Sequence, residues 1–394
     1  MFYRVVDQKE KSRQLSLDDF LTGKVIKEVP FDSTGTVTSC AEKISPKYQY
    51  EVMQNAVKLN ARLEEFNEKY ADLIEADKNT LYDSWKIPKK HGGLRKIDAP
   101  KEELKDALDE LVLILKNDFG CRKMYHTSAF AYMEGRSTIK CARRHASNES
   151  KWFARFDIHD FFGSTTLEFV LSMLKHIYPF NILMCYTACR DNLTKALSLG
   201  FKNGGLPQGT PLSPIITNIM MIPFDFTVAN GLRKFKVEKD GREFLQSFVY
   251  TRYSDDMYVS SRYDFNPKQI EDYICNALKE QGAPFELNRE KTKYNSNQGS
   301  VPNWILGVQI NAQNNITVGN KRKKYAESAL LTYARDRKSG IKWDLGDLRH
   351  LMGELSYIKS VEKENYKKLM NKINQKAGLD VWNAINDEIK LRVC

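Results

Sequence analysis

Apolar residues recur at helical spacing in several stretches of the 394-residue chain. The first such stretch follows Ser45-Pro46, a common way for a helix to begin, and its steps alternate between four and three residues. Its members are Val52, Ala56, Leu59, Leu63, Phe66, Tyr70 and Leu73. The pattern predicts one long helix that packs on the body of the same chain. A coiled-coil dimer is the alternative, but three heptads favour it less than they favour internal packing.

Shorter apolar stripes predict further helices, and runs of β-branched and aromatic residues predict strands. The predicted helices lie within residues 101–117, 139–145, 165–199, 215–221, 270–278 and 348–358. Predicted hairpins lie on either side of Gly92-Gly93, on either side of Asp240-Gly241, and at 304–318 with a turn at 311–315. No stretch has the length of a transmembrane helix, and the first residues carry no apolar core of a signal peptide.

The most informative hairpin covers residues 250–260, where apolar and β-branched residues flank Ser254-Asp255-Asp256. Two adjacent carboxylates in an apolar setting are electrostatically costly unless a cation lies beside them. Carboxylate oxygens are hard ligands that suit Mg²⁺ or Mn²⁺. On its own, the same tripeptide also fits an ordinary exposed turn.

Two upstream stretches favour a metal site over a plain turn. One apolar run ends at Asp157, and Asp160 follows three residues later, which puts carboxylates at the end of a predicted strand. Residues 204–214 read Gly-Gly-Leu-Pro-Gln-Gly-Thr-Pro-Leu-Ser-Pro. The glycines and prolines hold an irregular backbone around Gln208 and Gly209.

Taken in order, these three stretches resemble the motifs of a reverse transcriptase of the bacterial retron-like or defence-associated (abortive-infection-related) type. The spacing of 98 positions from Asp157 to Asp255 leaves room for the helices of a polymerase palm. The resemblance implies an α+β, right-hand polymerase with fingers, palm and thumb, whose antiparallel palm sheet packs on helices. It also implies three units. They are an N-terminal helical extension at 1–80, a fingers and palm core at 81–314, and a basic helical thumb at 315–394.

The chemistry that this resemblance implies is RNA-directed DNA synthesis by two-metal nucleotidyl transfer, with dNTPs as substrates. Asp157 and Asp255 would bridge two Mg²⁺ ions, with Mn²⁺ as an alternative, and Asp256 would support the cluster. One ion would activate the primer hydroxyl, and the other would hold the triphosphate and stabilise the leaving pyrophosphate.

The implied nucleotide-binding residues are Arg95, Lys96, Asp160, Phe161, Phe162, Gln208, Gly209 and Lys291. Arg95 lies on a basic hairpin that would reach the triphosphate, because a guanidinium matches phosphate geometry; a solvated charged hairpin is the alternative. Phe162 would pack against the sugar and exclude a 2′-hydroxyl, with plain core packing as the alternative. Lys291 would place a cation near the leaving pyrophosphate.

The implied contacts to nucleic acid are Arg136, Ser137, Arg143, Arg144, Lys321, Arg322, Lys323 and Lys324. The first four belong to a segment similar to one in bacterial reverse transcriptases, but Cys141 stands where retron enzymes have Asn. A second departure is Ile305-Leu306-Gly307 in place of Val-Thr-Gly. At the end of the first segment, His145 is either a structural hydrogen bonder or a catalytic group.

The charge of the chain fits a polyanionic partner. The net charge is +11 and the pI about 9.1, and residues 321–394 hold 17 Lys/Arg against 10 Asp/Glu. We expect a structured non-coding RNA as template and a DNA product as partners, and no membrane. The seven cysteines are scattered and odd in number, which indicates reduced thiols and a cytoplasmic location. The sequence leaves the oligomeric state open.

Three other functions share some of these motifs. A template-independent DNA polymerase of abortive-infection type has the same palm but a longer helical C-terminal part. A catalytically silent RNA-binding scaffold is disfavoured because the three carboxylates and Gln208 are all present. A primase-like RNA polymerase is disfavoured by Phe162. The favoured hypothesis is an RNA-directed DNA polymerase of a retron-like or antiphage defence system.

Overall fold

The computed structural model describes residues 46–88, 92–119, 125–239, 242–299 and 303–392. The predicted helix start at residue 45 and the turn at Asp240-Gly241 lie outside these ranges. The helices are α1 (Pro46–Lys69), α2 (Ala71–Glu75), α3 (Glu102–Phe119), α4 (Thr138–Ser147), α5 (Phe161–Ser164), α6 (Leu167–Leu174), α7 (Phe180–Leu183), α8 (Thr187–Ser198), α9 (Leu212–Met220), α10 (Ile222–Leu232), α11 (Pro267–Glu280), α12 (Asn320–Lys338), α13 (Leu345–Val361), α14 (Lys363–Ala377) and α15 (Val381–Leu391). The strands are β1 (Tyr82–Pro88), β2 (Leu94–Pro100), β3 (Trp152–Asp157), β4 (Lys236–Lys239), β5 (Arg242–Leu245), β6 (Phe248–Tyr253), β7 (Asp256–Ser261), β8 (Lys293–Ser296), β9 (Asn303–Ile305), β10 (Val308–Ile310) and β11 (Ile316–Thr317).

Helix α1 packs on the body of the chain, as its apolar stripe predicts. Leu59, Leu63 and Phe66 are fully buried in the main hydrophobic cluster, where α1 lies against α8 and α3. The helix ends at Lys69, and α2 begins at Ala71, so the predicted single helix is in fact two. This packing satisfies the apolar face without the coiled-coil alternative.

Four antiparallel strands form the central sheet in the order β6-β7-β3-β8. Asp157 at the end of β3 pairs with Asp256 at the start of β7, which also pairs with Tyr253 at the end of β6. Directly paired residues point to the same side of a sheet, so these three side chains leave on one face, which we call the cleft face. The predicted strand–turn–strand around Ser254 is confirmed.

The two faces of the central sheet enter different hydrophobic clusters. On the face opposite the cleft, Phe156, Tyr250 and Val259 join a core with α3, α6, α8, α9 and α10. On the cleft face, away from the carboxylates, Phe153 and Tyr258 join a second core with α4, β9, β10 and helices α12–α15. The architecture is therefore α+β, with an antiparallel sheet packed on helices.

The hairpin predicted at 304–318 is a three-stranded meander, in the order β11-β10-β9. The predicted first strand breaks at Leu306-Gly307, where φ is 52° and 82°. These left-handed values turn the chain back on itself, so β9 pairs with β10 before β10 pairs with β11. The glycine was the visible signal for this break.

Within the described residues, no single helix is long and apolar enough to cross a membrane. Of the described helices, only α9 and α10 together, which meet at a bend of 44°, pass on length and composition.

Candidate active site

Three acidic residues meet where β3 ends and the β6–β7 turn lies. Asp157 is the last residue of β3, and Asp256, the first residue of β7, lies directly opposite it. Asp255 shares a two-residue turn with Ser254, whose φ is 61°. The Ile158 N–H donates to the Asp255 carbonyl oxygen at 3.2 Å and ties this turn to the end of β3. The structure thus brings together the three residues that we predicted to be catalytic.

Two basic side chains engage two of these carboxylates. Arg155, on the same face of β3 as Asp157, donates from Nε and Nη2 to Asp256 Oδ1 at 2.9 and 2.7 Å. Lys291 Nζ donates to Asp157 Oδ1 at 2.7 Å. The Asp157 side chain is 3% exposed and that of Lys291 54%, so the lysine reaches the carboxylate from the solvent side. These ion pairs balance part of the negative charge of the site.

Ionisation of the remaining carboxyl is unfavourable. Burial raises the pKa of Asp255 to about 6, and the neighbouring charge of Asp256 adds to the effect. Burial also raises the pKa of Asp256, although Arg155 opposes this. A nearby cation favours the ionised form of a carboxyl, so a bound cation would relieve this cost.

The carboxylates of Asp157 and Asp256, at paired positions of the sheet, supply the oxygen donors that fit a hard divalent cation. Among the described residues, however, no group of three or more Asp, Glu, His or Cys side chains is arranged to hold a metal ion. The ion pairs of Asp157 with Lys291 and of Asp256 with Arg155 each engage one carboxylate oxygen, Oδ1.

Phe162 lies between the carboxylate end of β3 and the Pro-Gln-Gly loop. Its carbonyl oxygen accepts from the Leu206 N–H at 2.9 Å. A Cβ on Gly205 would come within 2.1 Å of the Gly163 carbonyl oxygen, so only glycine lets α5 lie this close to the loop. The Phe162 ring is half-buried against the main core. Part of it remains open beside the loop that carries Gln208.

The β1–β2 hairpin is hydrogen-bonded to the same loop. The Asp98 N–H donates to the Gln208 carbonyl oxygen at 2.9 Å. Lys202 Nζ donates to Asp98 Oδ1 at 2.7 Å, and both side chains are buried. Gly209 has a φ of 117°, and a Cβ there would lie 3.2 Å from the Asp98 carbonyl oxygen. The half-buried Gln208 and the exposed Gly209 therefore lie where the β1–β2 hairpin and the Pro-Gln-Gly loop are in close contact.

Arg95 and Lys96 are both exposed on β2, close to this contact. Successive residues of a strand point to opposite faces, so the two side chains diverge. Lys96 shares a face with Asp98 and pairs with it at 3.3 Å. Arg95 points to the other face of the hairpin, so the two residues do not form one basic surface.

Phe161 is a correction to the predicted nucleotide site. Its side chain is buried, and its ring packs against Phe285 with the ring centroids 5.1 Å apart. Neighbouring residues of a helix point in different directions, so Phe161 faces the core while Phe162 faces the loop. Asp160 is exposed just before α5, where its φ is 41°.

The residues predicted to touch nucleic acid before the palm strand lie at or near α4. Arg136 and Arg144 both donate through Nη1 to the Thr127 carbonyl oxygen, at 2.8 and 2.7 Å. Ser137 is the N-cap of α4, where its Oγ accepts a backbone hydrogen bond at 3.1 Å. Arg143 is exposed on α4. Two of these arginines therefore brace a loop with part of their donors.

The four basic residues at the start of α12 fall into two pairs. Lys321 and Lys324 are exposed. Arg322 and Lys323 pair instead with glutamates of α13 and of the α13–α14 junction, at 2.7 and 3.2 Å. Only the charges of the first pair, Lys321 and Lys324, are therefore free to meet a ligand from solvent.

His145 is a structural residue. Its ring is fully buried, with Nδ1 2.6 Å from Ser260 Oγ and Nε2 2.8 Å from Thr251 Oγ1. Burial lowers the pKa of His145 to about 3, so the ring is neutral. Cys141 donates to the same Thr251 oxygen at 3.2 Å, which gives a physical role to the residue that departs from the retron pattern.

Sequence reasoning missed a buried ion pair beneath the Asp255 turn. Arg252 and Asp225 are fully buried, and the guanidinium donates through Nε and Nη2 to the two carboxylate oxygens at 2.9 and 2.8 Å. The signal was present, since Asp225 interrupts an apolar helix and a buried charge needs a partner. Arg155 was also missed, although its position two residues before Asp157 places both on one strand face.

The site and the fold are those of a template-directed polymerase. A family model described as reverse transcriptase (RNA-dependent DNA polymerase) matches residues 87–315, more than half of the chain, and the chain belongs to that family. Two curated relatives come from Escherichia coli. Retron Ec83 reverse transcriptase is 26% identical over 314 residues, covering 77% of this chain and 90% of that protein. Retron Ec73 reverse transcriptase is 28% identical over 295 residues, covering 74% and 86%.

Solved structures with a similar fold include telomerase from Candida albicans in complex with a TWJ fragment of telomeric RNA. The TM-score is 0.43 at 12% identity, covering 79% of this chain and 65% of that one.

The family membership confirms the predicted right-hand polymerase fold and the resemblance to bacterial retron-type enzymes. The protein is an RNA-directed DNA polymerase. It belongs to a family that uses divalent metal ions and copies an RNA template.

Proposed function

We propose that Asp157, Asp255 and Asp256 are the catalytic carboxylates of this polymerase and that they hold two Mg²⁺ ions, with Mn²⁺ as an alternative. The observation that carries the proposal is that Asp157 and Asp256 pair directly at adjacent strand ends on the cleft face, with Asp255 in the turn beside them. When bound, the ions activate the primer hydroxyl and stabilise the leaving pyrophosphate.

The neighbouring cations have their own part in this proposal. Arg155 keeps Asp256 ionised and oriented through two hydrogen bonds. Lys291 holds Asp157 from the solvent side, and its length and exposure allow it to move to the phosphates of a bound nucleotide. The same side chain can then serve as the predicted cation near the leaving pyrophosphate.

The nucleotide site that we propose lies between the β1–β2 hairpin and the Pro-Gln-Gly loop. Arg95 contacts the triphosphate, and Gln208 contacts the base or sugar beside the close backbone approach at Gly209. Phe162 blocks a 2′-hydroxyl with the open part of its ring. Asp160 stays near the phosphates, and Lys96 supports Asp98 as well as the ligand, because it is already paired there.

We further propose that a small structured RNA of a retron-like system is the template and that the product is DNA. The similarity to two retron reverse transcriptases over about three quarters of this chain supports this. The division at 81 and 315 into extension, fingers and palm, and thumb remains part of the proposal, as does a cytoplasmic location. A role in antiphage defence follows from the family resemblance alone.

Duplex contacts complete the proposal. Arg143 and the free donors of Arg136 and Arg144 contact template phosphates near α4, where Ser137 caps the helix. Lys321 and Lys324 contact the duplex from α12, and Arg322 and Lys323 keep the surrounding helices in place through their ion pairs. Phosphate contacts of this kind position the duplex without reading its sequence.

Primer extension by the purified protein tests this function. The assay supplies labelled dNTPs and Mg²⁺ with an RNA template annealed to a primer, and a parallel reaction contains no template. Product whose length follows the template is expected, with complete loss in Asp255→Ala. Product of biased composition without template would move the protein to the template-independent class. Sequencing of nucleic acid that copurifies from the native host then identifies the RNA.

A further inference from the structure

Tyr132 and Ser254, neither of them glycine, adopt a left-handed backbone near the carboxylates. Tyr132 has a φ of 56° and Ser254 a φ of 61°. A bulky aromatic residue rarely takes this conformation, and residues that do are held there by their surroundings, often at functional sites. The Tyr132 ring lies 6.4 Å from that of Tyr253, between centroids, and its residue is 47% exposed.

One buried guanidinium connects both strained positions. Arg252 Nη1 donates to the Ser254 carbonyl oxygen at 3.2 Å and to Asn218 Oδ1 at 3.4 Å. Asn218 Nδ2 in turn donates to the carbonyl oxygen of Ala131 at 2.6 Å, immediately before Tyr132. Arg252, Asn218 and Ala131 are all buried. The carboxylate turn and the Tyr132 loop are therefore held by the same side chains.

The backbone of this loop extends the central sheet. The Arg252 N–H donates to the Ser128 carbonyl oxygen at 2.7 Å, and the Phe130 N–H donates to the Arg252 carbonyl oxygen at 2.8 Å. The loop thus runs outside β6, the edge strand of the sheet. Neighbouring strands lie about 4.8 Å apart, so the loop lies about three spacings, or roughly 15 Å, from β3.

We propose that Tyr132 contacts the template strand of the bound duplex, and that Arg252 and Asn218 are positioning residues that set its distance from the carboxylates. The proposal rests on the placement of the primer end at Asp157 and Asp255. With the primer end over β3 and β7, the proposal places the opposite strand over β6 and beyond, where the Tyr132 ring lies. An A-form duplex has a wide, shallow minor groove that admits side chains to its sugars and base edges.

Binding of a labelled RNA–DNA template–primer, measured by fluorescence anisotropy without nucleotide, tests the contact. Tyr132→Ala is expected to raise Kd about tenfold, as when one aromatic ring that packs on a nucleotide is removed. Tyr132→Phe is expected to keep the affinity, because the ring makes the contact. Tyr263→Ala is the matched control, since Tyr263 is 46% exposed beyond the far end of β7.

A double-mutant cycle separates positioning from general stability. Asn218→Ala releases the Ala131 carbonyl and is expected to raise Kd in the native background but to add nothing in the Tyr132→Ala background. A purely structural role of Asn218 would give additive effects. Melting temperatures of all variants show whether each one folds, and Tyr132→Ala is expected to melt as the native protein does because its side chain is exposed.

Strand identity is tested with p-benzoylphenylalanine in place of Tyr132, which crosslinks to nearby C–H bonds such as those of the sugars. A labelled template strand is expected to crosslink at the terminal base pairs, whereas a labelled primer strand is not. An unchanged Kd for Tyr132→Ala, or crosslinks from the primer strand only, would overturn the proposal. Asp255→Ala keeps these outcomes separate from the proposed catalysis, because it is expected to lose extension while binding the duplex normally.

Discussion

Among the single residues, Asp255 is the carboxyl group whose ionisation is made unfavourable by its surroundings. Its pKa of about 6 in the folded protein lies above the ordinary value of about 4, because of burial and the charge of Asp256. The folded state therefore binds this proton more tightly than the unfolded state does. The stability that this tighter proton binding gives to the folded protein is fully present below about pH 4 and is lost as the pH rises to about 6.

Replacement of Asp255 by Asn should remove this cost. In metal-free buffer, we expect Asp255→Asn to stabilise the protein by about 2 kcal/mol at pH 7.5 and to lose this advantage as the pH falls toward 4. Thermal unfolding with a chelator across that pH range measures the difference. Added Mg²⁺ should raise the melting temperature of the native protein and not that of the variant. Parallel pH profiles for the two proteins would contradict this account.

Phe162 offers a test of substrate choice. With Phe162→Ala, we expect the ratio of kcat/KM for a dNTP over its ribonucleotide to fall at least about tenfold, because the steric barrier to a 2′-hydroxyl is gone. Phe162→Tyr, which keeps the ring, should retain selection. If Phe162→Ala lowers the melting temperature but leaves the ratio unchanged, Phe162 is a packing residue only.

Motif and spacing were enough to predict that the three carboxylates come together, because strand ends and turns follow local patterns. They were not enough to predict which cations lie beside them. Lys291 reaches Asp157 across 134 positions of the chain. No local pattern determines such a pairing. Phe161 failed for a related reason, since the sequence does not say which of two adjacent aromatic residues faces the core.

At the level of elements, the β1–β2 hairpin depends on a buried lysine for its attachment. Lys202, which precedes the Pro-Gln-Gly loop, forms an ion pair with Asp98 of β2. Its Nζ lies 4.8 Å from the centroid of the Tyr82 ring. Removing one partner of a buried ion pair leaves the other charge buried without compensation. This destabilises a protein more than replacing both partners with uncharged residues does.

Lys202→Met should therefore destabilise the protein by about 3 kcal/mol and raise the KM for dNTPs, since the hairpin loses its anchor. The double variant Lys202→Met, Asp98→Asn should recover much of the stability, because no buried charge is left and Lys96, which also pairs with Asp98, is exposed to solvent. Urea unfolding and steady-state kinetics measure the two effects. A single variant with native stability and native KM would show that the pair does not hold the hairpin.

Most elements followed from hydrophobic spacing, including α1, α3, α11, α13 and the hairpin at Gly92-Gly93. The break at Leu306-Gly307 did not, because the flanking residues fit one strand and only backbone conformation separates them. The loop at 126–132 was also beyond sequence reasoning. Its shape depends on Arg252 and Asn218, which contact it from distant parts of the chain.

For the molecule as a whole, the net charge of +11 acts through a few exposed side chains. Lys321→Ala with Lys324→Ala should lower the slope of log Kd against log salt for a template–primer duplex by one to two, about one for each phosphate that is no longer neutralised. Lys175→Ala with Lys195→Ala is the control, because Lys175 directly follows α6 and Lys195 lies on α8, and both helices pack on the face opposite the cleft. Equal slopes for the two double variants would mean that α12 does not touch the duplex.

The fold class was predictable because motif order carries it, and the family model agrees over residues 87–315. The sequence did not predict that the central sheet and the C-terminal helices contribute to one hydrophobic cluster. Phe153 and Tyr258 are separated from Leu351 and Leu355 by about a hundred residues or more, yet all four lie in one hydrophobic cluster.

That shared cluster limits how this enzyme can be recombined with its relatives. A chimaera joined at residue 315 would separate Ile305 and Val308 from the helices that cover them. Foreign C-terminal helices would then meet a sheet face shaped for other side chains, and the mismatch would fall on the cleft face of β3 and β7, the strands that carry Asp157 and Asp256. An exchange of template preference by swapping segments therefore has to carry β9, β10 and the matching residues of α4, Phe153 and Tyr258 with the helices.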